Sequence, residues 1–260
     1  MKKLFLTISV SVLVLICSNR IQAQNNPMGN TWVVFIENSN YETLNKLDSP
    51  IKDAITIKGA LSNYQISNFI HKKDMTKVQM ERFFNIELRD LLETNHVKSL
   101  MLWYAGYGKF INNIGYWIPV DSKMDDGFTY FNINVLKADL QSYANVTHIL
   151  VVSDASEAGP GFYQAIRAPI EEPSCDNLIA SSYKSAQIFS STGFESAADN
   201  SLFAQTFSNT LIKNIKSCIP IESVVKTVTA VVANNNQQKP KFGKITGLLD
   251  ENGTFFFIKK

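Results

Sequence analysis

Short, unbroken runs of β-forming apolar residues constrain this chain more than any other feature. Trp32-Val-Val-Phe-Ile36 has no polar side of its own, which suits a strand covered on both faces. Ile66 to Ile70, Val97 to Tyr104, His148 to Ser153 and Ala186 to Ser190 read as four further strands. Helical stretches alternate with them. Ser49-Pro50 opens the first, with Ser as cap and Pro at the first helical position, and Ile51, Ala54, Ile55, Ile57, Lys58 and Leu61 continue it. Thr76 to Gln79 has the pattern of a capping box before a helix running to about Glu93. Further helices are expected at about 133–143, from Asp199 to Lys213 and from Ile221 to Val232. This order implies an α/β fold, with a mainly parallel sheet and helices on both faces.

Between these elements, residues 109–121 read as a hairpin or extended segment ending in Tyr116-Trp-Ile-Pro-Val-Asp121. The stretch 155–183 carries Pro160, Gly161, Pro169 and Pro173 without sustained periodicity and reads as a long loop. Asn234 to Gln238 is a polar linker. Ile245 to Leu249 and Thr254 to Ile258 read as closing strands around an Asn252-Gly253 turn.

The N-terminus reads as a signal peptide. Lys2 and Lys3 precede an apolar run from Leu4 to Ile16, and Ile21-Gln-Ala23 marks a cleavage site after Ala23. That run is short for a membrane span, so no integral span is expected after cleavage, and the protein reads as secreted or periplasmic. Cys17 raises lipidation, but Ile16 before it is a poor fit to a lipobox. Lys2, Lys3 and Arg20 leave with the leader, so Lys plus Arg falls from 25 to 22 against 23 acids. The resulting balance near −1 argues against nucleic-acid binding. Two cysteines remain, Cys175 and Cys218, and a disulfide or two free thiols are both open.

Two loops carry the functional reading: Tyr104-Ala-Gly-Tyr-Gly108 and Asp154-Ala-Ser-Glu-Ala-Gly159, each after an apolar strand. In open α/β sheets, ligands bind beyond the carboxyl ends of strands, at a topological switch point. The pair resembles the active-site loops of caspase-like cysteine peptidases (caspases, metacaspases and paracaspases), especially bacterial ones. Val33 to Tyr41 resembles the family's first strand and loop, and Asp53-Ala54 its characteristic pair in the first helix. Leu102 to Gly108, Tyr116 to Asp121, Ile149 to Asp154, Phe189 to Ala197, Ser201 to Phe203 and Gly243 to Phe257 continue the likeness in order. It implies a three-layer αβα sandwich with a mostly parallel six-stranded sheet over residues 24–260. The large-subunit-like part would cover about 31–159, a linker loop 160–183, and the small-subunit-like part 184–260.

By that resemblance, Tyr107 stands where the family has its catalytic histidine and Ser156 where it has its nucleophilic cysteine. A phenol titrating near 10 is no base at neutral pH, and an unassisted hydroxyl is a poor nucleophile. Of the three histidines, His96 and His148 enter strands at the far end and read as ordinary surface or edge residues, as does His71. Cys175 has no recognisable partner as a displaced nucleophile. The chain therefore reads as a degenerate, non-catalytic homologue that binds peptide or protein, with an active caspase-like relative as one candidate partner. An endopeptidase with altered machinery and an envelope scaffold are the alternatives. Asp154 holds the family position that lines a pocket for Arg or Lys, with Gly106 and Gly108 beside it; a structural role in the turn is the other reading. Glu157, Asp121 and Glu195 are candidates for added acidity or plain solvated charges. No compact acidic loop indicates calcium, and no cofactor or metal is expected.

Overall fold

The computed structural model describes residues 26–157, 161–166, 173–175, 178–193, 201–235 and 238–260. The leader read over 1–23 with its Cys17, the tail of the second loop at Ala158-Gly159, and Glu195 lie outside the described residues. The first part of the chain runs through β1 (Thr31–Glu37), α1 (Ser49–Leu61), β2 (Asn68–Lys73), α2 (Lys77–Arg82), α3 (Arg89–Thr94) and β3 (Ser99–Gly106). There follow β4 (Gly108–Ile111), β5 (Ile114–Trp117), β6 (Phe131–Asn132), α4 (Ile133–Ser142), β7 (His148–Ala155) and β8 (Tyr163–Ile166). The last part holds β9 (Ser185–Ser190), α5 (Leu202–Lys213), β10 (Cys218–Pro220), α6 (Ile221–Asn235), β11 (Lys241–Ile245) and β12 (Phe256–Ile258).

Every residue of β1 is buried. Trp32, Val34 and Ile36 point into one apolar cluster, Val33 and Phe35 into the other. Burial on two faces is why this strand shows no polar alternation. Met80 from α2, Phe83, Phe84 and Leu88 from the segment after it, Leu92 from α3, and Leu136 and Leu140 from α4 cover the first face. Helices α1, α5 and α6 cover the second through Ala54, Ile57, Phe203, Phe207, Val224 and Val228. The result is a three-layer αβα sandwich. Its sheet order is β2-β1-β3-β7-β9-β11-β8. The first five strands are parallel, and β11 runs antiparallel to β9.

The expected six-stranded, mostly parallel sheet is thus present, with β8 as a short seventh strand antiparallel to β11. That strand comes from the stretch read as an unbroken loop. The closing hairpin does not form: β12 pairs with β10, while β11 joins the main sheet. Phe255, Phe256 and Phe257 are all buried in the cluster under α5 and α6, a cover that a hairpin at the sheet edge would not supply.

Helix starts differ in detail. Asp48, not Ser49, is the N-cap of α1, it makes no side-chain cap bond, and Pro50 lies in the first turn. The capping box forms in both directions: Gln79 N–H donates to Thr76 Oγ1 at 3.3 Å and Thr76 N–H to Gln79 Oε1 at 2.9 Å. A π-helical segment, Phe83–Leu88, separates α2 from α3 where an uninterrupted helix was expected. Strands β4 and β5 are joined by Asn112-Asn113, both at positive φ, the geometry of a tight primed turn. Cys175 and Cys218 form a disulfide, with Cα atoms 5.7 Å apart.

Candidate functional site

The two loops singled out by sequence meet at one end of the sheet. Strands β3 and β7 are parallel neighbours, with Ala105 opposite Asp154 and Gly106 opposite Ala155. Tyr107 and Ser156 therefore leave adjacent strand ends. Their contact is close: a Cβ on Gly108 would lie 2.3 Å from the Ser156 carbonyl oxygen. Only glycine lets the first loop pass the second there. Gly106 makes room in the same way for the hydroxyls of Tyr41 and Tyr104.

Tyr107 sits in an aromatic frame. Its N–H donates to the Tyr41 hydroxyl at 2.8 Å, and its carbonyl accepts from the Tyr104 hydroxyl at 2.7 Å and from Ile118 N–H at 3.0 Å. Its ring lies against Tyr41, with centroids 4.9 Å apart. Burial pushes the Tyr41 and Tyr104 phenols well above their ordinary range, so both are neutral donors at physiological pH. Tyr104 in turn stacks on Trp117 at 4.1 Å, and the Trp117 indole N–H donates to Ser153 Oγ at 3.0 Å. The Tyr41–Tyr107 and Trp117–Ser153 bonds escaped the sequence reading because their partners lie 66 and 36 positions apart.

Asp154 is 7% exposed. Its carboxylate accepts from the Ser201 hydroxyl, which itself caps α5 by accepting Ala204 N–H at 3.0 Å. Burial raises the Asp154 pKa, opposed by the Ser201 and Ser191 hydroxyls. The group is thus fastened to the start of α5 through Ser201. The neighbouring Ala155 carbonyl accepts from Thr192 Oγ1 at 2.8 Å, adding a second tie between β7 and the segment after β9.

Of the other acids, Glu157 adopts a positive φ of 49° and its Oε2 accepts Phe110 N–H at 2.8 Å, clasping the second loop to β4. Asp121 accepts Lys77 N–H at the first residue of α2, a capping role. The histidines lie elsewhere. His71 of β2 pairs with buried Glu37 of β1 at 2.9 Å, three strands from β7 in the sheet order, and His96 occupies the turn before β3. His148 does begin β7 at the far end, but at 1% exposure it is a core residue, which corrects the surface or edge assignment. Its Nδ1 meets Ser185 Oγ and its Nε2 the Ser181 carbonyl, both at 2.9 Å, and burial lowers its pKa to about 4. Cys175 and Cys218 are both consumed by the disulfide. Among the described residues no cluster of His, Cys, Asp and Glu is arranged to hold a metal ion.

A cleft of about 290 Å³ opens beside Tyr107, lined also by Thr43, Leu44, Lys109, Ile118, Met124 and Tyr130. No signal in the sequence marked it, since it is assembled from three loops. Among the described residues no helix is long and apolar enough to cross a membrane.

No family model matches the chain, and no curated protein matches it. Among solved structures it is similar to the crystal structure of caspase-1 from Spodoptera frugiperda. The TM-score is 0.57 at 15% sequence identity, over 87% of this chain and 90% of that one. What the two share is the fold: this chain folds as a caspase-like αβα sandwich.

Proposed function

We propose that this chain is an exported caspase-fold protein that binds peptide or protein without hydrolysing it. The observation that carries the reading is the pair Tyr107 and Ser156 at adjoining strand ends, with all three histidines elsewhere and both remaining cysteines in a disulfide. Losing one member of a catalytic unit costs roughly 10⁴–10⁶ in rate, and losing a second adds little. The phenols around Tyr107 are held neutral, so they offer Ser156 no base. Export is favoured by the leader-like residues 1–23 and by the disulfide, a bond of oxidising compartments. An active caspase-fold relative is one candidate partner within this reading.

The test is hydrolysis of a peptide library containing Arg, Lys and Asp at the cleavage position, by the native protein, by Ser156→Ala and by Ser156→Cys/Tyr107→His. Silence from the first two, with turnover in the double variant, is the expected result. Native turnover that vanishes in Ser156→Ala would refute the reading. The same peptides address Asp154: binding of Arg or Lys peptides that is lost in Asp154→Ala would put it in a pocket for basic side chains. Unchanged binding leaves it as the anchor of α5.

A further inference from the structure

The Cys175–Cys218 disulfide is not sealed in the core. Both cysteines line a cleft of about 520 Å³ on the α6 side of the molecule, together with Ser174, Asn214 and Lys216. The two ends of the bond are unequally covered. Cys218 is 2% exposed and belongs to the second apolar cluster, whereas Cys175 lies against that cluster and stays partly open, and Ser174 before it is exposed. Exchange with an external thiolate proceeds at the sulfur that it can reach.

The same cleft carries a braced positive charge. Lys216 is exposed, and it is the one charged residue among the described lining. Asn214 holds its backbone on both sides: Lys216 N–H donates to Asn214 Oδ1 at 3.1 Å, and the Lys216 carbonyl accepts from Asn214 Nδ2 at 3.2 Å. Lys259 fastens this loop in turn, its Nζ donating to the Asn214 carbonyl and its backbone N–H to the Ser217 carbonyl, both at 2.8 Å. The acid in the first turn of α6, Glu222, is outside the lining and accepts from Gln187 Nε2 at 2.9 Å and Thr254 Oγ1 at 3.0 Å. A lysine beside a disulfide draws in an anionic thiol and favours the thiolate that leaves. Ser217 and Ser223 add hydroxyls, Ile219 and Pro220 add apolar surface, and the volume suits a small molecule.

We propose that this disulfide is an exchange site for a small thiol that carries a carboxylate. The incoming thiol gives its proton to solvent, and its thiolate attacks Cys175 Sγ. A new S–S bond forms as the Cys175–Cys218 bond breaks, and Cys218 leaves as a thiolate that takes a proton from solvent. One disulfide replaces another, with no net oxidation. The carboxylate pairs with Lys216. Exchange unties Cys175 from β10, so this part of the long stretch after Ser156 answers to the thiols around it. The site is independent of whether the strand-end loops bind peptide or cut it.

The test treats the folded protein with 3-mercaptopropionate, 2-mercaptoethanol or cysteamine over a range of concentrations. Samples are quenched early with excess N-ethylmaleimide and read by peptide mass spectrometry. The thiol adduct should sit on Cys175 and the maleimide on Cys218, at a rate that rises linearly with thiol concentration and without loss of far-ultraviolet circular dichroism. The same series on Lys216→Gln removes differences in intrinsic thiol reactivity: the anionic-to-cationic rate ratio should fall about fivefold, the weight of one exposed ion pair. An adduct on Cys218 overturns the proposal, as does an unchanged ratio in Lys216→Gln. A rate that is the same for all three thiols and flat with concentration also overturns it, because the bond would then open only when the protein unfolds.

Discussion

Replacing Asp139 with Asn should stabilise the fold at neutral pH, with a gain that disappears in acid. Asp139 lies on the buried side of α4 at 8% exposure, and its Oδ2 has no hydrogen-bond partner among the described residues. Burial raises its pKa from 3.8 to about 6; Arg89 on α3 opposes the rise, and Glu81 on α2 adds to it. The folded-state value exceeds the unfolded one, so between pH 4 and 6 the folded chain holds the proton more often. Stability contributed by the neutral form is complete below the unfolded pKa and is lost as pH rises through about 6. Two units at about 1.4 kcal/mol each set a ceiling near 3 kcal/mol, and relaxation around a partly wetted carboxylate brings the expected value to about 1–3 kcal/mol. Asn, which never ionises, escapes that loss. Urea unfolding of both proteins at half-unit steps from pH 4 to 8 measures it. The difference should be near zero at pH 4 and reach its plateau above pH 7. His148, with its pKa lowered to about 4, gives a slope of opposite sign in an overlapping window, but that slope is common to both proteins and cancels. A difference independent of pH, or a native chain more stable than the variant at pH 7, would refute the reasoning.

Two other predictions test the frame around the site. Gly108→Ala places a methyl group 2.3 Å from the Ser156 carbonyl oxygen and 3.3 Å from Ala155 Cβ, so the two loops must part. Overpacking of this kind costs about 1–3 kcal/mol, read as a lower melting temperature, and Tyr107 and Ser156 amide resonances should shift with it. Cys175→Ser/Cys218→Ser opens a loop of 43 residues, for which the chain-entropy model gives about 4 kcal/mol of lost stability in urea unfolding. A loss well under 1 kcal/mol would mean that the residues around Cys175 stay in place without the bond.

The parts of this molecule legible from sequence are those decided by local chemistry or by continuous burial. The Thr76–Gln79 capping box needed four consecutive residues, and the unpolarised run at Trp32–Ile36 announced a strand covered on both faces. The parts that escaped depend on distant partners. Strand β8 exists because Gly243 and Ile245 of β11 offer a free edge nearly eighty positions downstream. Asn68 to Lys73 forms a strand two residues later than its apolar run suggests, because pairing with β1 extends it through His71, Lys72 and Lys73. The π-helical segment at Phe83–Leu88 carries an ordinary helical pattern, and its Phe84 carbonyl is met by the Tyr143 hydroxyl from beyond α4. At the site, the positions of Tyr107, Ser156 and Asp154 were readable as loop ends, whereas the phenols and hydroxyls that hold them were not.

That division bears on what the site is built to do. A loop that carries a general base must let the base approach a substrate, and its side chain is commonly kept accessible for the purpose. Here the backbone of Tyr107 is held on both sides by phenol hydroxyls, the neighbouring Gly108 is pressed against Ser156, and Glu157 accepts an unusual φ to hold β4 in place. Positive φ at a non-glycine residue costs on the order of 1 kcal/mol and persists only where surroundings enforce it. The Gly108–Ser156 approach and the Glu157–Phe110 bond hold the two strand-end loops against each other. Under the proposed non-catalytic reading, such ties hold the two loops for binding rather than for proton transfer. Turnover by the Ser156→Cys/Tyr107→His variant is therefore the expected sign that the frame still holds those two positions on adjoining strand ends.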